Sequence, residues 1–398
     1  MQITNKFRLY PNKKQEEKML ETLDICRQTY NLLLSELNNQ KVIDKAQIQG
    51  ILPDMKICEP KFKDVYSKTL QYECYRLFSN LRALAKSKEK RKVGMLRFKS
   101  KGWFKTFTYN QSGFKLIPTG KRCQTLHLSK VGEIPIRCHR NIKGKIKQIT
   151  IKKYPSGTWF ASIIEERKEI INKKSIEKVI GIDLGLNDIV YDSEGNKIIN
   201  PRHLKKHAEK LALLQRNMSK KKKNSNNRNK ARLRLTKQYE KLVNSRGDFL
   251  HKLSRYYVDN YDTIGMEDLQ ITNMERYTYL SKSILDASWG RLRQYISYKA
   301  ENAGKLFVSV NHKGTTQRCS QCGNKVEKKL WNREHKCSCG FEAPRDYNSA
   351  LEIKNLCLQK IGQELSDLKP VEISLTAELQ KQVYELYIRE AGSLLQNC

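Results

Sequence analysis

Polar and apolar residues alternate over residues 1–10, MQITNKFRLY, and the alternation stops at Pro11, which predicts a β-strand followed by a helix start. Leu20, Leu23, Cys26, Tyr30, Leu33 and Leu37 then recur at helical spacing and predict a core-facing stripe. A second helical face, Leu70, Cys74, Leu77 and Leu81, lies within residues 66–92 and leaves Ser67, Gln71 and Arg76 on other sides of that helix. Residues 11–93 are therefore expected to be mostly helical. From Gly94 the texture changes to short alternating runs broken by Gly, Pro and Ser, among them KIKQITIKKY (145–154) and WFASIIEE (159–166) around a turn at 155–157. That texture predicts a small β-barrel or sandwich which the helices interrupt, since the first strand precedes them.

Past residue 176 the period changes again. VIGID (179–183) reads as a buried strand, and a pair of strands follows around the turn DSEGN (192–196). Residues 203–261 form a long helical tract broken by SKKKKNSNNRNK (219–230), which has too little apolar surface to pack and predicts a basic loop between two antiparallel helices. TIGMED (263–268) and KLFVSVN (305–311) are later strands, DYNSALEIKNLCLQKIG (346–362) is a last helix, and the residues from 362 onward are expected to be a loosely attached tail. No internal repeat is visible.

Charge changes this picture more than size does. The 398 residues hold 77 Lys+Arg against 41 Asp+Glu, a net charge of +36, and such an excess repels itself unless a polyanion neutralises it. Nucleic acid is the natural partner. A membrane is the other polyanion, but no run approaches 18 apolar residues and the first 15 contain no apolar signal core, so a soluble, intracellular protein is expected. Of eleven cysteines, Cys26, Cys58, Cys74, Cys123, Cys138, Cys357 and Cys398 are scattered singly, which points to reduced thiols rather than a disulfide framework.

Three carboxylates fall at the ends of elements: Asp183 closes VIGID, Glu267 closes TIGME, and Asp346 opens the last helix. A carboxylate where a buried parallel strand emerges stands at the usual ligand crevice of an α/β sheet. Three of them within about 4–6 Å repel by a few kcal/mol per pair at an effective dielectric near 20, so a divalent cation must hold them. Oxygen-only ligands favour Mg²⁺, and two such ions can activate a water and stabilise the leaving oxygen of a phosphodiester. The expectation is a nuclease of RNase H type. The order Asp, Glu, Asp differs from the Asp, Asp, Glu of a strand-transferring transposase of the same fold, and joined rather than broken DNA ends would mark the latter.

Cys319 and Cys322 form C-x-x-C, fourteen residues intervene, and Cys337 and Cys339 form C-x-C. Two knuckles of this kind meet tetrahedral Zn²⁺, and with four protein ligands the ion is a scaffold closed to substrate. His335 is an alternative to one thiolate. The ribbon lies between the last strand and the last helix, so its closure is expected to deliver Asp346 to the other two acids.

Taken together, IGIDLG, KKKNSNNRNKARLRLTKQYEKLVNSRGDFLHKLS, IGMEDL, SILDASWGRLRQYISYKAENAGKLFVSVN, TTQRCSQCG and CGFEAPRDYNSA closely resemble TnpB, the RNA-guided nuclease family of IS200/IS605-type transposons related to the small Cas12f effectors. FRLYPNKKQEEKMLETLDICRQTYNLLL and LRFKSKGWFKTFTYNQSGFKL resemble it as well, so the likeness runs from residue 1 to about 355. It implies a multidomain α+β fold. Residues 1–10 and 94–172 would be a wedge β-barrel, 11–93 an inserted helical recognition domain of helix-turn-helix type, 173–361 a RuvC (RNase H-like) nuclease domain, 312–343 its zinc-ribbon insert, and 362–398 a flexible tail. Asp183, Glu267 and Asp346 stand at the three RuvC acids, with two Mg²⁺, one structural Zn²⁺ and a guide RNA as cofactors.

The same likeness implies a guide RNA from the transposon end, a double-stranded target DNA cut beside a short adjacent motif, a monomer with its RNA, and a cytoplasmic, nucleoid-associated place in a prokaryotic cell. Ser67, Gln71 and Thr108 match motif-reading positions loosely. If base pairing by a guide supplies sequence recognition, the protein need contact only phosphates and shape, which accounts for the charge. Lys220, Lys221, Lys222, Lys223, Arg228, Lys230, Arg232 and Arg234 would then track a backbone. Phe104, Phe107 and Tyr109, with Trp103, interleave with Lys101 and Lys105 and are expected in the barrel core, with stacking on bases as the alternative. Two rivals stay open: a Cas12f-type effector with an array-derived guide, against which the DASWG stretch speaks, and a zinc-ribbon regulator that binds without cutting.

Overall fold

The computed structural model describes residues 2–40, 43–89, 94–120, 123–167, 177–274, 279–329 and 331–366, and the chain divides into two compact units, Met1–Glu169 and Ile170–Cys398. In the first unit β1 (Gln2–Leu9) is followed by α1 (Lys13–Asn39), α2 (Lys45–Cys58), a 3-10 turn (Pro60–Asp64) and α3 (Ser67–Lys88). Six strands follow: β2 (Thr106–Asn110), β3 (Phe114–Pro118), β4 (Cys123–Leu128), β5 (Gly132–Arg137), β6 (Lys145–Lys153) and β7 (Trp159–Glu166). Helix α1 starts on a capping box in which Asn12 and Gln15 satisfy each other's backbone amides, so the break after Pro11 has a chemical cause. Leu23, Cys26, Tyr30, Leu33 and Leu37 are buried, but Leu20, assigned to the same stripe, is 40% exposed.

All seven strands form one antiparallel sheet in the order β2-β6-β7-β1-β5-β4-β3. β1 sits in its middle, in register with β7 along its whole length, so the three helices are inserted in chain order between two strands of one sheet. The two edge strands, β2 and β3, are joined by only residues 111–113. A linker of that length spans at most about 14 Å, so the sheet must curl until its edges nearly meet. The barrel expected from the sequence is thus closed by the chain and not by a ladder: among the described residues β2 and β3 are not paired with each other. Gln111 (φ 65°) and Gly113 (φ 84°) take left-handed conformations in this link, and a Cβ at Gly113 would fall 2.3 Å from the Tyr66 ring. Phe104, Phe107 and Tyr109 are buried in the core that the sheet shares with the helices, whereas Trp103 is 64% exposed and does not join them.

The second unit runs β8 (Val179–Asp183), β9 (Asp188–Asp192), β10 (Lys197–Ile199), α4 (His203–Ser219), α5 (Asn226–Asn260), β11 (Thr263–Glu267), α6 (Ile271–Met274), α7 (Ser281–Ala287), α8 (Trp289–Asn302), β12 (Leu306–Val310), β13 (Glu334–Lys336), β14 (Glu342–Pro344) and α9 (Arg345–Ser366). Its five-stranded sheet has the order β10-β9-β8-β11-β12, with β8, β11 and β12 parallel and the other two antiparallel. The β9–β10 turn is held by buried Asp192, which accepts from the amides of Glu194 and Asn196 and from the Tyr257 hydroxyl.

Strand alternation sorts this sheet into two faces. Ile180, Ile182, Ile264 and Met266 face α5 and α8 in one apolar cluster, while Val179, Val308 and Val310 face Ile353, Cys357 and Leu358 of α9 in another. The basic loop is shorter than expected. Ser225 caps α5 by accepting from the Arg228 amide, so helix begins at Asn226 and only residues 220–225 connect α4 to α5. The last helix likewise reaches Ser366, beyond the boundary at 362, and the rest of the expected tail, 367–398, lies outside the described residues. Among the described residues no helix is long and apolar enough to cross a membrane.

Candidate metal centres and nucleic-acid surfaces

VIGID and TIGME share a pattern whose use is visible only in the fold. Both place a glycine two residues before an acid, so glycine and acid point to the same face, the one covered by α9. Gly181 pairs with Gly265 across β8 and β11, which puts Asp183 and Glu267 at the same level where both parallel strands end. A Cβ at Gly181 would meet Ala350 O at 2.2 Å and Lys354 N at 2.6 Å. The bare glycine therefore lets α9 lie directly on the strand. From there Asp183 is two residues along β8 and Asp346 one turn back along α9, each about 6 Å away. The three acids converge where the neighbouring strands β8 and β11 end.

Their electrostatics record the convergence. Burial, and then the Glu267 and Asp346 carboxylates, push the Asp183 carboxyl well above its ordinary range against the pull of the Leu184 amide and Arg345. Burial also raises Glu267, although the Thr315 hydroxyl donates to its Oε1 and His312 draws it down. Asp346 is more open, with 35% of its side chain exposed, and Arg345 Nε lies 3.1 Å from its Oδ1. The three carboxylates do not close as tightly as the cysteines do. Among the described residues only the four thiols form a potential metal-binding group with every ligand atom within 4.8 Å of the others.

Those thiols are Cys319, Cys322, Cys337 and Cys339, with Cys319 Sγ 3.8 Å from Cys339 Sγ and Cys322 Sγ 3.5 Å from Cys337 Sγ. Burial pushes the Cys319 thiol up to about 12, while the Cys339 backbone amide draws Cys337 down to about 6. The set is the donor chemistry of a structural zinc site. His335 lies outside it: its Nδ1 contacts the Lys328 ammonium, and Nε2 is buried without a hydrogen-bond partner. The ribbon is fastened to α9 by Asn348, which accepts from the Ser320 amide and donates to Arg318 O, and by Asn355, which donates to Ser320 O.

The other expected contact residues divide. Lys220, Lys221, Lys222, Lys223, Lys230, Arg232 and Arg234 are exposed along the α4–α5 turn and the first turns of α5. Arg228 is half-buried and donates to Met218 O and Lys221 O, fastening the turn. Ser67 and Gln71 line a cavity of about 390 Å³ between α2 and α3, where Lys56 Nζ donates to Ser67 Oγ at 2.6 Å and burial lowers the lysine. Thr108 is not among the residues lining it: it is buried on β2, its hydroxyl 3.0 Å from that of Thr150.

Sequence reasoning passed over Gly181, Gly265 and Thr315. The repeat of Ile-Gly-apolar-acid in VIGID and TIGME was the available signal for the glycines; nothing local marks Thr315, which reaches Glu267 only through the fold. It also passed over Asp286 of DASWG, which accepts from the Leu204 amide at the start of α4 and pairs with Arg246 at 2.7 Å, tying α4, α5 and α7 together.

Comparison with known proteins places this arrangement. Residues 162–278 match the IS605 OrfB family profile described as "Probable transposase", residues 289–353 a "Cas12f1-like, TNB domain", and residues 1–40 a "Helix-turn-helix domain", a span that here contains β1 and the single helix α1. A putative RNA-guided DNA endonuclease of Streptomyces pristinaespiralis is 30% identical over 360 residues, 87% of each chain. The putative RNA-guided DNA endonuclease InsQ of Escherichia coli K12 is 28% identical over 87% of this chain and 90% of its own. The CRISPR-associated endodeoxyribonuclease Cas12f1 of Sulfoacidibacillus thermotolerans is 30% identical over 52% of each. Among solved structures, a Cas12f1–sgRNA–target DNA complex superposes with a TM-score of 0.53 at 15% identity over 87% of this chain and 83% of that one. The mini-RNA-guided endonuclease Cas_phi3 does so with 0.55 at 9% over 90% and 92%. The multidomain α+β fold is therefore that of these effectors, and the chain belongs to the TnpB-like OrfB family of IS605-type elements.

Proposed function

We propose that this protein is a transposon-encoded, RNA-guided DNA endonuclease that hydrolyses target DNA beside a short adjacent motif, with Asp183, Glu267 and Asp346 as its catalytic, metal-holding acids. The observation that carries the reading is the convergence of the three carboxylates at the end of two parallel strands, with Asp183 pushed up by burial and then by the other two. The strand order, with β8 at the centre of β10-β9-β8-β11-β12, supports an RNase H-like, RuvC-type nuclease domain. An all-oxygen donor set that repels itself fits Mg²⁺. When bound, two such ions supply a polarised water and a counter-charge for the leaving oxygen. The chain's own residues do the positioning: Thr315 fixes one oxygen of Glu267, Arg345 holds Asp346, and the glycines bring α9 to the sheet.

The four cysteines would hold one structural zinc, making the ribbon a clip that sets the start of α9. In this reading the curled sheet is the wedge domain, α1 to α3 the recognition domain, and the cavity at Ser67 and Gln71 a place where DNA bases next to the target are read. The exposed lysines of the α4–α5 turn would follow the backbone of a guide RNA or its heteroduplex, and the working particle would be one chain with one RNA in a prokaryotic cytoplasm. The names of the relatives support RNA guidance, and the match to the IS605 OrfB profile favours a transposon-end guide over an array-derived one.

The test is to purify the protein with its co-purifying RNA, sequence that RNA, and offer duplex DNA matching its guide segment. Cutting in Mg²⁺ that stops in EDTA, and that Asp183→Ala abolishes while target binding persists, is the expected result. Binding without cutting would leave a zinc-ribbon regulator.

A further inference from the structure

We propose that the cavity beside Glu267 receives one unstacked nucleobase of the strand being cut, from the nucleotide next to the scissile phosphate. The cavity measures about 310 Å³, the lower end of the range for small-molecule sites and enough for a base with part of its sugar. Glu267 forms part of its wall, so it is continuous with the acid cluster. The rest of the wall belongs to the α8 side, where Leu184, Ile271, Trp289 and Phe307 make it apolar. The proposal rests on the nuclease reading above and deepens it.

Chemistry decides what enters. A phosphodiester brought to the acids carries a charged group and an uncharged one, and an apolar recess accepts only the second. Arg293, the one cation in the wall, is paired with the Asp268 carboxylate and donates to Ser309 Oγ at 2.8 Å, which offsets its charge and weakens its pull on a phosphate. Trp289 is held in place by its own Nε1, which donates to Gly185 O at 3.1 Å, two residues beyond Asp183. Gln294 is the exposed polar group at the mouth, and its amide can both donate to and accept from a base edge. A base stacked in a duplex cannot reach such a recess, so the pocket selects a strand already unpaired, which guide pairing would provide.

The experiment measures cutting and target binding by the RNA–protein complex on substrates carrying an abasic site at each nucleotide on either side of the cut, for the wild type, Ser297→Phe, which fills the cavity from α8, and Gln294→Ala. The expected result is one flanking position at which removal of the base slows wild-type cutting roughly ten- to hundredfold, the range for one base–aromatic stack, with binding unchanged. Ser297→Phe should slow the intact substrate by a similar factor and be indifferent to the abasic site there. Equal rates on every abasic substrate, or a Ser297→Phe complex as sensitive as the wild type, overturn the proposal. Should Ser297→Phe fail to bind target, Gln294→Ala decides: reduced sensitivity at that one position supports it, and undiminished sensitivity overturns it. Wild-type complex that binds and cuts nothing is a different outcome, since it removes the nuclease reading itself and the pocket's role with it.

Discussion

At the scale of single residues, Gly181 and Gly265 make the acid cluster possible, and they do so unequally. A methyl at Gly181 would strike the backbone of Ala350 and Lys354, which cannot turn aside, whereas at Gly265 the nearest atoms are Cys357 Cβ at 3.0 Å and Sγ at 3.3 Å. Gly181→Ala is expected to cost about 2–4 kcal/mol and most of the cutting activity by levering α9 from the sheet, and Gly265→Ala distinctly less. Thermal unfolding and cleavage rates on the same preparations check the order. A separate buried acid gives a pH signature. Glu73 of α3 has no exposed surface, and burial raises it to about 8 despite Arg76 Nη1 at 3.3 Å, so desolvation outweighs the ion pair. The folded state thus holds a proton that the unfolded chain releases near its ordinary value of 4.5. Stability is greatest below that value, and a few kcal/mol drain away as pH rises from there through about 8. Melting curves from pH 5 to 8 should show the decline, and Glu73→Gln should flatten it.

At the scale of elements, the segment carrying the four cysteines is the part whose stability a bound metal would govern. Four thiols this close cannot all ionise without a cation, so the purified protein should carry one zinc per chain. Chelation or Cys337→Ser should release it and lower cutting at least tenfold through α9, because Asn348 and Asn355 couple ribbon to helix. Zinc analysis together with cleavage rates tests this; full activity in zinc-free protein would show that the ribbon does not position Asp346. Elements are also where the sequence was most legible. Alternation revealed β1 and β7, buried apolar runs revealed β8 and β11, helical spacing revealed α1 and α3, and cysteine spacing revealed the ribbon. Each of those signals is local. The order of the strands, the curl imposed by the short link between β2 and β3, and the burial of Thr108 depend on residues far apart in the chain meeting in space, which no local period encodes. Leu20 kept the helical spacing yet faces solvent, since a stripe's spacing does not fix its width, and the basic run at 226–230 became helix because Ser225 supplied a cap.

At the scale of the whole molecule, a net charge of +36 dominates any encounter with nucleic acid. The logarithm of the guide-RNA binding constant should fall linearly with the logarithm of salt concentration, and replacing Lys220, Lys221, Lys222 and Lys223 by alanine should reduce that slope by about 0.7–0.9 for each phosphate no longer neutralised. An unchanged slope would make the turn a solvated surface. The acids belong to this scale too, since residues 183, 267 and 346 meet only in the complete second unit, and Asp183→Asn should raise the metal-free melting temperature by removing a carboxylate that burial, and then its two neighbours, disfavour, while ending cleavage. The most direct measurement is crystallographic: soak the protein in Mn²⁺, collect anomalous diffraction, and locate the ions. Peaks contacted jointly by Asp183, Glu267 and Asp346 are predicted; manganese bound elsewhere, or touching only one of the three, would contradict the account.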